Sequence, residues 1–149
     1  MNEHVHISRT PSAEALTQLI LETFRFNGRL LAAGDRLTKE LGLTSALWQV
    51  IGAINEEPLP VAQIARNMGL TRQSVRRTAN VLKNKGFVEF HDNPNHQRAK
   101  LVKLTKQGRS VLEQVTKLQI DWSNSVSKGI DEKKLKTVIQ TMNKILERL

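Results

Sequence analysis

The apolar period of this chain changes at Gly86, and that change limits the fold more than any other feature. Before it, Val61, Ile64, Ala65 and Met68 fall on one face of a short helix, and Val75, Ala79 and Leu82 on one face of the next. After it, Phe87–His91 and Lys100–Leu104 read as strands flanking a polar turn built on Asp92-Asn93-Pro94-Asn95, which is a hairpin pattern. Gly69 separates the two helices and suits a sharp C-terminal turn, because glycine takes positive φ without steric penalty. Thr71 is placed to cap the second helix. The segment therefore predicts helix, tight turn, helix and hairpin in succession.

Charge is concentrated on the same segment. Pro58–Ser110 carries 11 Lys/Arg against 2 Asp/Glu, whereas residues 1–57 carry 5 against 7 and residues 111–149 carry 7 against 5. The three balances of +9, −2 and +2 sum to the net +9 of the chain, so the centre holds the whole imbalance. A polyanion is the matching partner. An anionic membrane surface would want a basic amphipathic helix with aromatic anchors, and the basic block is short of aromatics. Nucleic acid fits better.

The flanks read as helices. Thr10-Pro11 offers a cap followed by proline at the first helical position. Leu16, Leu19, Ile20, Phe24, Leu30, Leu31 and Leu37 then recur at helical spacing, predicting one long helix. Gly42 and Thr44 separate it from a second helix over Ser45–Asn55, which Pro58 and Pro60 stop before the next begins. Thr105 caps another long helix, with Val111, Leu112, Val115, Leu118, Trp122 and Val126 in phase. The last helix starts near Asp131, and its Leu135, Val138, Met142, Ile145 and Leu149 step by 3, 4, 3 and 4. That heptad seam is too short for an autonomous coiled coil but long enough for half of an interface.

Two short helices joined by a glycine-bearing turn form a helix-turn-helix, whose second helix enters the major groove of DNA. With Val75, Ala79 and Leu82 inward, Thr71, Arg72, Gln73, Ser74, Arg76 and Arg77 are left outward. These side chains suit base edges: Arg pairs with guanine, Gln with adenine, and Ser or Thr with either. The hairpin is then a wing, with Asn95, His96, Gln97, Arg98 and Lys100 at or beside its tip. There a side chain can enter a minor groove or hold phosphates, and Arg98 is the expected minor-groove contact. The plainer alternatives are a solvated helix face and a mobile loop whose charge maintains solubility.

These residues are similar to those of a known family. Thr71-Arg-Gln-Ser-Val, Leu82-Lys-Asn-Lys-Gly86-Phe-Val, and Arg98-Ala-Lys-Leu-Val-Lys-Leu-Thr105 with Gly108 resemble the MarR family of winged helix-turn-helix transcription regulators. Leu43-Thr44 with Trp48-Gln49-Val50-Ile51 also fits the helix before that family's reading head. The resemblance spans roughly Leu43–Leu112, and the flanking helices fit in pattern only. It implies a homodimer joined through its terminal helices, pseudo-palindromic DNA, and in many members release by a small anionic or phenolic effector. Leu16, Leu135, Val138, Met142, Ile145 and Leu149 are the expected interface residues. Arg25, Arg29, Arg36 and Trp48 are the effector contacts it suggests, although the arginines can equally be exposed, or paired with Glu22 and Asp35, and a tryptophan such as Trp48 is more often a core or interface residue than a ligand platform. One departure concerns the wing, where the family's usual Asp two residues before the tip Arg is replaced by His96. The Asp braces the wing with ion pairs. His96 leaves two roles open, bracing by hydrogen bonds or adding positive charge near DNA at low pH.

An enzyme finds little support, because the four histidines are scattered at His4, His6, His91 and His96. No phosphate loop, nucleophile elbow or HExxH motif appears. His4 and His6 alternate as a metal clip might, without further ligands, so no metal and no cofactor are expected. With no cysteine the chain forms no disulfide, and residues 1–10 lack an apolar signal-peptide core. The expectation is one domain over residues 1–149, mainly α with a small β-hairpin wing. Residues 43–109 form the winged helix-turn-helix, flanked by dimerisation helices over 10–40 and 110–149. It is expected to act in the cytoplasm as a sequence-specific repressor. A non-specific architectural protein or a winged-helix protein-interaction module is the alternative.

Overall fold

Thr10 opens the first helix of the computed structural model, which describes residues 8–149. The described chain comprises two compact units, one running to Val115 and one from Thr116 to Leu149. Helix α1 (Pro11–Thr38) starts with Thr10 accepting a hydrogen bond from the Ala13 amide at 3.2 Å and with Pro11 at its first position. It ends in a short 3₁₀ turn, Lys39–Leu41, and a left-handed Gly42.

The C-terminal third of α1 is tied to α2 (Ser45–Ala53) by polar contacts that helix propensity alone would not supply. The Ser45 amide donates to Asp35 Oδ1 at 2.7 Å, and the Ser45 hydroxyl donates to the Leu31 carbonyl at 2.6 Å. The buried Thr38 hydroxyl lies between the carbonyls of Gly34 (2.9 Å) and Leu43 (3.1 Å). Gly34 is what allows this approach, since a Cβ there would overlap Ser45 Oγ. Asp35 therefore serves the start of α2 rather than an arginine of its own helix. Helix α2 ends two residues before the expected Asn55, because the Asn55 amide turns back to the Gly52 carbonyl.

Helices α3 (Val61–Met68) and α4 (Arg72–Asn84) follow. Gly69 at φ +64° closes α3, its amide donating to the carbonyls of Ala65 and Arg66. Thr71 then caps α4 by accepting from the Ser74 amide at 3.1 Å. The hairpin consists of β2 (Val88–His91) and β3 (Leu101–Leu104), antiparallel with Val88 opposite Leu104 and His91 opposite Leu101. A third strand, β1 (Leu59–Pro60), pairs with the other edge of β3, giving the order β1-β3-β2. Proline is compatible with that position because an edge strand need not donate from every amide. Pro58 and Pro60 were expected only to break helices, so the sheet has one strand more than the hairpin.

The core of this unit brings Val50, Ile51, Ile54, Ile64, Val75, Leu82, Val88, Val102 and Val115 out of solvent. Each such side chain contributes roughly 1.5–3 kcal/mol by burial. Helix α5 (Lys106–Ser127) begins here. The Thr105 hydroxyl donates to the Gly86 carbonyl at 2.6 Å and accepts from the Gly108 amide at 3.0 Å, fastening the first turn of α5 to the start of β2.

The second unit holds the rest of α5 and helix α6 (Glu132–Leu146), capped by Asp131 through the amides of Lys133 and Lys134. Leu135, Val138, Ile139, Met142 and Leu146 of α6 are all exposed. Within the first unit α1 likewise leaves Phe24 and Phe26 about 70% exposed (71% and 67%), with Leu16, Ile20, Leu21 and Leu30 also uncovered. Among the described residues, no helix is long and apolar enough to cross a membrane.

Candidate nucleic-acid interface

The outward face of α4 is built by its inward one. Val75, Ala79 and Leu82 are fully buried and step by 4 and 3 residues. Gln73, Arg77 and Asn80 repeat the same steps two residues earlier, about 200° around the helix, and all three are exposed. Arg72 and Arg76 flank that line, also exposed, and Ser74 is half-buried on the other flank. Among the described residues Arg72, Arg76 and Arg77 take part in no ion pair. Three guanidinium groups thus share one helix face with no internal carboxylate to neutralise them. The Thr71 oxygen accepts from the helix amide, which leaves its hydroxyl proton and a second lone pair for a ligand.

The wing places Asn95, His96, Gln97, Arg98 and Lys100 together in the turn between β2 and β3, every one exposed. Its shape is held by its backbone. The Asn95 amide donates to the Asn93 side chain at 3.0 Å, the His96 amide to the Asn93 carbonyl at 3.1 Å, and the Ala99 amide to the His96 carbonyl at 3.2 Å. At the base, Lys100 pairs with Asp92 at 3.7 Å, and Glu89 meets His91 at 2.7 Å along β2. With His96 where the family has an Asp, the turn is held by the Asn93 side chain and by main-chain bonds. Lys83 stands over the Phe90 ring at 5.4 Å, linking the end of α4 to the wing's first strand.

The suggested effector contacts are not brought together. Arg25, Arg29 and Arg36 lie along the exposed side of α1, and Arg25 pairs with Glu22 at 2.6 Å. Trp48 is half-buried on α2, against the opposite side of α1, where a Cβ on Gly34 would meet its ring at 3.8 Å. His4 and His6 lie outside the described residues, and among the described residues no three acidic, His or Cys side chains converge as a metal site would require.

The MarR family profile matches residues 41–99, from the 3₁₀ turn after α1 to the wing turn before β3. An uncharacterized protein of Mycobacterium tuberculosis, Rv2011c, is 31% identical over 137 residues, covering 92% of this chain and 96% of its own. The chain belongs to the MarR family. Solved structures agree on the fold. The transcriptional regulator BldR from Sulfolobus solfataricus superposes with a TM-score of 0.81 at 21% identity, over 95% of this chain and all (100%) of that one. MOSR of M. tuberculosis in complex with DNA gives 0.73 at 22% identity, over 87% and 96% of the two chains. CouR from Rhodococcus jostii RHA1 bound to p-coumaroyl-CoA gives 0.76 at 21% identity, over 93% and 95%. This MarR-family protein is a DNA-binding transcription regulator with a winged helix-turn-helix, and the family's members are not enzymes.

Asn80 stands one turn beyond Arg77 on the same line of α4 and is likewise exposed. On α6, Ile139 and Leu146 lie just off the strict heptad positions and are more exposed than Leu135 or Met142.

Proposed function

We propose that this protein is a homodimeric repressor that reads a pseudo-palindromic operator in the cytoplasm and leaves it when a small anionic or phenolic effector binds. One observation carries the DNA-reading part: the exposed face of α4, with Gln73 and three arginines unpaired among the described residues, in a chain whose wing presents Arg98 and Lys100. Two such heads in one dimer would enter successive major grooves, about 10 bp apart centre to centre. The effector reading is supported by kinship, since CouR was solved with p-coumaroyl-CoA. Such a molecule acts only through unequal affinity for the DNA-competent and incompetent arrangements.

Selection from a random duplex library tests the proposal. Enrichment of an inverted repeat with half-sites about one helical turn apart is expected. Salt-sensitive binding with no enriched motif would favour an architectural protein instead.

Within α4, position on the helix sorts the side chains. Gln73→Ala or Arg77→Ala should relax base preference at one half-site position, at about 1–3 kcal/mol per lost bidentate contact. Arg72→Ala or Arg76→Ala should weaken selected and scrambled duplexes alike, as phosphate contacts do. Equal losses for all four variants on both duplexes would refute the division.

The dimer reading rests on the apolar residues that α1 and α6 each leave uncovered in the single chain. Val138→Asp would place a charge on the α6 face and should render the protein monomeric where the wild type is dimeric, since burying an unpaired charge is costly. Operator affinity should fall with it, by about tenfold or more. A wild type that sediments as a monomer at micromolar concentration would end this reading.

A further inference from the structure

We infer that Asn80 is a base-reading residue of α4 and takes an adenine about three base pairs from the base read by Gln73. This rests on α4 being the helix that enters the groove. Asn80 is exposed in the third turn of α4, and among the described residues its amide has no hydrogen-bond partner. It stands opposite the buried stripe of Val75, Ala79 and Leu82, in line with Gln73 and Arg77. With a rise of 1.5 Å per residue, Arg77 lies about 6 Å and Asn80 about 10 Å beyond Gln73 along the axis. Base pairs repeat every 3.4 Å, so the three side chains span about four consecutive pairs.

The chemistry of the line is specific. Gln73 and Asn80 each present a carboxamide, whose acceptor and donor match the N6 and N7 edge of adenine, while Arg77 between them matches O6 and N7 of guanine. The flanking groups are of a different kind: Arg72, Arg76 and Lys83 form a purely cationic row beside the reading line, suited to the phosphates of one strand. Asn84 continues the line but is the last residue of α4, against the Lys85-Gly86 turn where the chain leaves the helix. Reading falls to the earlier turns of such a helix, so the line ends at Asn80. The half-site therefore holds two adenines about three base pairs apart with a guanine between them, on whichever strand each base lies.

The test is a comparison of selected motifs for the full-length wild type, Asn80→Ala and Asn80→Gln, each checked for unchanged helix content. The wild type should select adenine at a position that Asn80→Ala leaves undetermined. At the other positions the two profiles should agree. On single-base variants of the selected duplex, the wild type should discriminate against replacement of that adenine by roughly 5- to 150-fold, and Asn80→Ala by less than about 2-fold. Asn80→Gln keeps the carboxamide and should retain adenine as the preferred base there. If the wild type selects a motif and Asn80→Ala selects the identical one, or binds all duplexes uniformly weaker, Asn80 is not a reader. A wild type that selects no motif instead overturns the sequence-specific reading on which this inference stands.

Discussion

Gly108→Ala should lower the stability of the fold by about 3 kcal/mol or more, a large effect for removing nothing and adding one methyl group. The cause is a backbone contact. A Cβ on Gly108 would overlap the Phe87 carbonyl oxygen, with the Phe87 carbonyl carbon at 2.8 Å and its Cα at 3.1 Å. No side chain can rotate to make room, because every atom in the way belongs to the main chain. Relief requires lifting the first turn of α5 off the start of β2. That movement disturbs the Thr105 amide bond to the Phe87 carbonyl (3.0 Å) and the Thr105 hydroxyl bond to the Gly86 carbonyl (2.6 Å). Each is worth about 1 kcal/mol net. Helix propensity alone would favour alanine by about 1 kcal/mol, so the sign of the result separates the two effects. Gly52→Ala in α2 is the matched control. Gly52 lies inside a helix with nothing within 4 Å of a new Cβ, and the substitution should stabilise by about 0.5–1 kcal/mol. Thermal unfolding at one fixed protein concentration measures both, with Gly108→Ala expected about 6–12 °C below the wild type. A Gly108→Ala protein as stable as the wild type would mean that α5 does not sit on Phe87 as described.

Whether such a contact can be foreseen depends on how far apart in the chain its members lie. The caps at Thr10, Thr44 and Thr71 were legible because they are local: each bonds an amide three residues ahead. Gly69 was legible for the same reason, since a helix-ending turn is decided by its own φ. The hairpin showed in the change of period after Gly86. Strand β1 did not, because two residues have no period and Leu59-Pro60 becomes a strand only where β3 offers an edge. Asp35 looked like an ion-pair partner within α1, yet its carboxylate accepts from the Ser45 amide ten residues away. The same limit explains the effector contacts. The family resemblance groups Arg25, Arg29, Arg36 and Trp48, but the packing of Gly34 against Ser45 sets Trp48 on the far side of α1 from the arginines. In the reading face the residue types and the period were both available. Val75, Ala79 and Leu82 are buried as that period requires, and the same period carries the exposed line on to Asn80.

Affinity for operator DNA should fall by about 10³- to 10⁵-fold between 50 and 200 mM salt, if a dimer neutralises about 6–10 phosphates. The block Pro58–Ser110 carries 11 Lys/Arg against 2 Asp/Glu, and the two acids are already placed. Glu89 meets His91, and Asp92 meets Lys100 at 3.7 Å with Asp92 itself 98% exposed. A surface pair that long and that open is worth little, so a phosphate can displace Asp92 from Lys100 at small cost. The arginines of α4 have no such partner among the described residues. Every cation that meets a phosphate releases condensed counterions, which gives a log–log slope of about −0.9 per phosphate neutralised. Arg98→Ala removes one wing cation from each protomer and should make the slope of the dimer shallower by about 2. Arg25→Ala, on α1 and already paired with Glu22 at 2.6 Å, should leave the slope unchanged. Fluorescence anisotropy titrations at five salt concentrations resolve these differences. A flat wild-type plot would remove the electrostatic basis of the interface. A slope that Arg98→Ala leaves unaltered would place the wing tip away from the phosphates and confine the contact to α4.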